Sequence, residues 1–142
     1  MTQEEKDLLK MAICEMLPYV VKGKMETTDG NGKEIKDDGV INSVFINEHG
    51  KAYICIEDME YELDDVRPYL RHMSSMTKEE IEELRELCGG IVWTKDILHD
   101  KVLNIYYRHD ALDWLLKHHF DTRGLIEMGL ALEAPEEMYK EE

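Results

Sequence analysis

Two short apolar runs, Val40 to Asn47 and Ala52 to Glu57, flank the four-residue turn Glu48-His49-Gly50-Lys51, and this pattern constrains the chain more than any other. Alternating apolar residues on either side of a glycine-containing turn predict an antiparallel hairpin. Val44 and Ile46 are expected on one face with Ile41 and Phe45 on the other, while Ile54 and Ile56 oppose Tyr53 and Cys55. A hairpin apolar on both faces cannot stand alone in water. It must curl into a small barrel or be covered by helices.

The flanking sequence supplies both means. Tyr19 to Lys24 and Met59 to Leu63 read as further strands around the loop Thr28 to Lys33, and Pro68 makes Arg67 extended. Residues 19–72 therefore read as an antiparallel sheet compatible with an SH3-like barrel. Asp29-Gly30-Asn31-Gly32 lacks the ligand alternation and closing glutamate of a calcium loop. Before the sheet, Thr2 and Glu5 form a capping box, and Leu8, Leu9, Ala12, Ile13 and Met16 recur at helical spacing until Pro18. Cys14 projects away from that stripe, with no nearby cation to activate its thiol.

The remainder, residues 73–135, reads as helical, followed by an acidic tail over 136–142 that is expected to fray. Thr77 and Glu80 form a second capping box; Ile81, Leu84, Leu87 and Cys88 make the expected buried stripe, and Gly89-Gly90 ends it. Glu79, Glu80, Glu82, Glu83 and Glu86 form the expected solvated face. Residues 91–107 fit neither period cleanly and lean towards helix, with Thr94 as cap. Asp110 is expected to cap a short helix lined by Leu112, Leu115, Leu116 and His119, and Leu125, Ile126, Met128, Leu130 and Leu132 are expected to bury the segment that follows. The fold class is α+β, and 142 residues suit one domain.

Composition limits function. A formal charge of −15, spread along the chain, repels nucleic-acid phosphates and anionic lipid, so direct nucleic-acid binding is not expected. An acidic mimic of nucleic acid would require carboxylates aligned on one face. Cys14, Cys55 and Cys88 have neither disulfide nor zinc spacing. No signal-like segment or run of eighteen apolar residues occurs, so the expectation is a cytoplasmic protein off the membrane.

The richest chemistry lies near Lys117-His118-His119-Phe120-Asp121-Thr122-Arg123-Gly124. Trp114 and His118, four apart, share a helix face, where indole and imidazole meet. Adjacent His118 and His119 diverge by about a hundred degrees and do not converge on one metal. Asp121 is placed to orient His118, and Arg123 to hold an anion, the rudiments of an acid–base site. The competing reading is structural: cationic histidines suit a helix C-terminus, while Asp121 and Gly124 shape the following turn. Trp114, His118, Asp121 and Arg123 are the candidate binding residues; no catalytic set, metal site or cofactor motif is identified.

Two blocks, Arg67-Pro68-Tyr69-Leu70-Arg71-His72-Met73-Ser74-Ser75-Met76-Thr77 and Lys117 through Gly124 to Pro135, resemble a family of short uncharacterised proteins of gut Bacteroides-type bacteria and their phages. Neither block is of low complexity, and together they cover roughly a fifth to a quarter of the chain. This chain departs from the family pattern at His72, Leu116, Thr122, Glu127 and Glu137. The resemblance implies a habitat and no activity. Two functional expectations follow: a small acidic module binding an unidentified protein partner through an acidic or aromatic face built from residues such as Trp93, Tyr106, Trp114 and Tyr139, or a hydrolase or transferase using His118, Asp121 and Arg123, with His109 as a further candidate.

Overall fold

The first sixteen residues fold as their capping box dictates. In the computed structural model, which describes residues 1–87 and 108–140, helix α1 spans Gln3–Met16. Thr2 Oγ1 accepts from the Glu5 amide at 3.1 Å and Glu5 Oε1 accepts from the Thr2 amide at 2.9 Å, so two end-of-helix donors are satisfied reciprocally. Leu9, Ala12, Ile13 and Met16 are buried. Each of the three larger side chains contributes about 1.5–3 kcal/mol by leaving water.

That stripe packs on one face of a six-stranded sheet: β1 (Lys22–Thr28), β2 (Glu34–Ile46), β3 (Ala52–Ile56), β4 (Met59–Glu62), β5 (Val66–Leu70) and β6 (Leu132–Glu133). The order is β4-β3-β2-β1-β5-β6, antiparallel except for the parallel pair β5 and β6. The α+β class holds. Among the described residues the sheet is open, with β4 and β6 as its edges, and it does not close into the expected SH3-like barrel. A 3-10 turn at Leu63–Asp65 joins β4 to β5.

Strand β2 starts at Glu34, six residues before the expected Val40, because Asp29 condenses the preceding loop: its Oδ1 accepts from the amides of Asn31 and Lys33 at 2.8 and 2.9 Å. The strand serves two ladders, pairing β1 through residues 34–40 and β3 through 41–46. A register shift between Ile41 and Ser43 marks the change of partner. It also corrects the expected facing. Ile41 joins Val44, Ile54 and Ile56 at the core, whereas Phe45 points outward opposite Tyr53. Gly23 and Gly39 oppose each other in this region, where a Cβ on Gly23 would stand 2.8 Å from Ile41 Cδ1.

A second apolar cluster forms between α2 (Lys78–Leu87) and α3 (Arg108–Lys117), from Leu84, Ala111, Trp114, Leu115 and Phe120. Of the described α2 stripe only Leu84 is buried; Ile81 and Leu87 are exposed, contrary to expectation. Helix α3 begins two residues before Asp110, which therefore sits in the first turn and does not cap. Cys88, Gly89-Gly90, the helix expected over 91–107, and the aromatic residues Trp93 and Tyr106 lie outside the described residues. Leu125 and Leu130 are buried as expected and Ala131 with them, whereas Ile126 and Leu132 are half-buried and Met128 is exposed, contrary to expectation; the segment is built of turns and ends in β6. Within the tail, Tyr139 is hydrogen-bonded to the body of the protein. No helix among the described residues is long and apolar enough to cross a membrane.

Candidate functional site

Helix α3 ends where two backbone hydrogen bonds reverse the chain, from the Phe120 amide to the Leu115 carbonyl and from the His119 amide to the Leu116 carbonyl, both 3.0 Å. This closure requires a left-handed residue, ordinarily glycine. His119 takes the position at φ 67°. The turn presents His118 and His119 to different neighbours.

His118 lies against Trp114, with ring centroids 4.2 Å apart as the i, i+4 spacing predicts, and its Nδ1 is 3.8 Å from Glu80 Oε2. Glu80 faces Arg71 in a two-pronged pair, both bonds 2.7 Å, and the guanidinium lies 4.1 Å from the centroid of the Phe120 ring. Burial raises the Glu80 pKa, but the Arg71 fork and the Thr77 amide outweigh it and bring the carboxyl down to about 2. The expected solvated glutamate face of α2 is thus interrupted. Glu80 is held inward, and Glu83 accepts from Trp114 Nε1 at 3.2 Å. Trp114 itself is 8% exposed, so it cannot form the exposed aromatic patch expected of it.

Asp121 and Arg123 turn away from His118. The Asp121 carboxylate accepts from the amides of Arg123, Leu125 and Ile126 at 3.3, 2.9 and 2.9 Å, fastening the turn after α3. Arg123 pairs with Glu15 of α1, and Tyr19 in the turn after α1 donates to Asp113, so the two contacts tie α1 and the turn that follows it to the C-terminal part. The void beside Arg123 is about 10 Å³, room for one water at most. The structure therefore brings Trp114 and His118 together, and separates Asp121 and Arg123 into two other contacts. Among the described residues no group of His, Cys, Asp and Glu is arranged to hold a metal ion.

Elsewhere, a polar cleft of about 300 Å³ opens between α1 and the β2–β3 turn. Its Lys6, Lys10 and Lys51 are each neutralised by a carboxylate, Asp64, Asp7 and Glu62, at 3.5, 3.8 and 2.5 Å. The outer face of the β2–β3 hairpin is different. Phe45 is 52% exposed there, its ring 6.5 Å from that of Tyr53 on the neighbouring strand, with the Lys51 ammonium 5.6 Å from the Tyr53 ring. Strand alternation placed Phe45 and Tyr53 in the sequence without revealing that nothing among the described residues covers Phe45.

Comparison with family models, curated proteins and solved structures finds no match.

Proposed function

We propose that this chain is a small acidic protein-binding module that docks through the outer face of β2, β3 and β4. The observation carrying this reading is the exposed Phe45 paired with Tyr53. An exposed phenylalanine backed by a half-buried tyrosine on a strand ladder gives a partner an apolar contact at little entropic cost, the property of interface anchors. Glu60 and Glu62 share the face opposite Cys55 and Tyr53. With a charge of −15, they favour a protein partner presenting apolar side chains within a basic rim over a nucleic acid.

A nucleic-acid mimic is less well supported, since Glu80 and Glu83 break the carboxylate row on α2. So is a hydrolase or transferase, since His118, Asp121 and Arg123 have three separate partners. A cytoplasmic setting and an origin in a gut bacterium or its phage belong to the same proposal, supported by the thiol-bearing sequence and the two resembling blocks.

The test is affinity capture from host-cell lysate with the full chain, Phe45→Ala/Tyr53→Ser, and His118→Ala/Arg123→Ala, each checked by thermal unfolding. The reading requires a captured protein that is lost with the first pair and kept with the second. Loss with the second pair alone, at unchanged stability, would overturn it.

A further inference from the structure

The β1–β5 ladder stops at Gly23 opposite Pro68, one pair short of Lys22 opposite Tyr69. A side chain from the tail occupies that place. Tyr139 Oη accepts from the Lys22 amide and donates to the Tyr69 carbonyl, both at 2.8 Å. The Tyr139 ring stacks on His119, centroids 3.7 Å apart and planes within 4°. His119 Nε2 in turn lies 2.6 Å from the Val20 carbonyl, which fixes the imidazole as a wall.

This is the composition of a binding pocket for a phenol: one backbone donor, one backbone acceptor and a flat ring, drawn from the start of β1, from β5 and from the end of α3. A non-glycine residue in the left-handed position that closes α3 costs on the order of 1 kcal/mol. Glycine would close the helix without that cost, and without the wall. Burial pushes the Tyr139 hydroxyl up to about 12, so it remains a neutral donor throughout the physiological range. The tail is otherwise lightly held. Its β6 pairs only Leu132 and Glu133 with β5, the Ala134 amide reaches the Leu70 carbonyl at 2.7 Å, and Lys22 Nζ reaches the Met138 carbonyl at 3.4 Å.

We propose that the slot formed by Lys22, Tyr69 and His119 is a tyrosine-recognition site, filled in the isolated chain by its own Tyr139 and available to a tyrosine-bearing extended segment of a protein partner when the tail lifts. The tail is both the model for that segment and its competitor. A tethered ligand acts at an effective concentration near the millimolar range, so a partner segment must outcompete it or find it displaced. This site is separate from the Phe45 face, and neither proposal depends on the other.

The probe is a fluorescein-labelled peptide of residues 134–140, titrated by fluorescence anisotropy into the full chain and into the full-length Tyr139→Ala variant. The expected result is saturable binding to the variant, at least tenfold weaker binding to the wild type, and none by a peptide carrying Tyr139→Ala. Adding His119→Gly to the Tyr139→Ala chain should weaken binding at least fivefold while the helix end persists. If Tyr139→Ala does not fold, Tyr139→Phe replaces it, since it retains the ring and lacks the hydroxyl; the peptide should then displace the weaker phenylalanine. Equal binding by tyrosine and alanine peptides, or equal binding to wild type and variant, would overturn the proposal. A wild-type chain that dimerises with concentration, and ceases to do so in Tyr139→Ala, would assign the site to a second copy's tail and overturn the assignment to a different protein.

Discussion

Replacing Asp121 by alanine removes one carboxylate and strands three backbone amides, those of Arg123, Leu125 and Ile126. The bonds to Leu125 and Ile126 are short at 2.9 Å, whereas the 3.3 Å bond to Arg123 is weak. A hydrogen bond to a charged group contributes roughly 1.5–3 kcal/mol, and an orphaned buried amide costs a similar amount. Asp121 is 8% exposed, so water can recover only part of this loss. The expected destabilisation is about 3 kcal/mol, or a fall of about 10 °C in Tm for a chain of this size. Urea unfolding at neutral pH, with the m-value unchanged, measures it. Asp121→Asn should fall in between, because one amide oxygen still accepts while its NH2 opposes a backbone donor. A loss below about 1 kcal/mol would refute the turn-fastening role.

Other perturbations test separate joints. Glu80 titrates at about 2 in the folded chain against an ordinary 4.5, so its stabilisation is complete above about pH 5 and is lost as pH falls towards 2. The shift corresponds to at most about 3 kcal/mol, nearer 2 after solvent screening, and Glu80→Gln should remove that part of the acid slope in thermal unfolding. Leu130, 3% exposed in the segment that leads into β6, should not tolerate a charge. Leu130→Asp is expected to cost about 4 kcal/mol or more, and an unchanged Tm would contradict its burial. Thr2→Ala removes the α1 cap and should cost about 1 kcal/mol in chemical unfolding.

The elements read correctly from sequence are those set by local signals. The Thr2/Glu5 and Thr77/Glu80 capping boxes, the Gly50 turn and the Trp114–His118 contact each depend on residues within four positions. What escaped the sequence is non-local. Glu80 looked like one glutamate in a solvated row because its partner Arg71 is brought to it only by the turn between β5 and α2. The turn-shaping reading of Asp121 holds, whereas the alternative that grouped Asp121 and Arg123 with His118 rested on adjacency in sequence, and the left-handed His119 reverses the chain between them. A slip of register at Ile41 exchanged the faces of β2. The tail looked free because its charge gave no hint that Tyr139 bridges Lys22 and Tyr69, 117 and 70 residues upstream. The spacing of Asp121 before Arg123-Gly124-Leu125 was the one available signal for a carboxylate that fastens a turn.

The most direct test of the proposed docking face is site-specific photo-crosslinking in host cells, with benzoylphenylalanine in place of Phe45 in one chain and in place of His118 in another. A protein adduct formed from position 45 and absent from position 118, found again when the label replaces Tyr53, is the predicted result. An adduct from position 118 with none from 45 or 53 would contradict the account and return the functional surface to the end of α3.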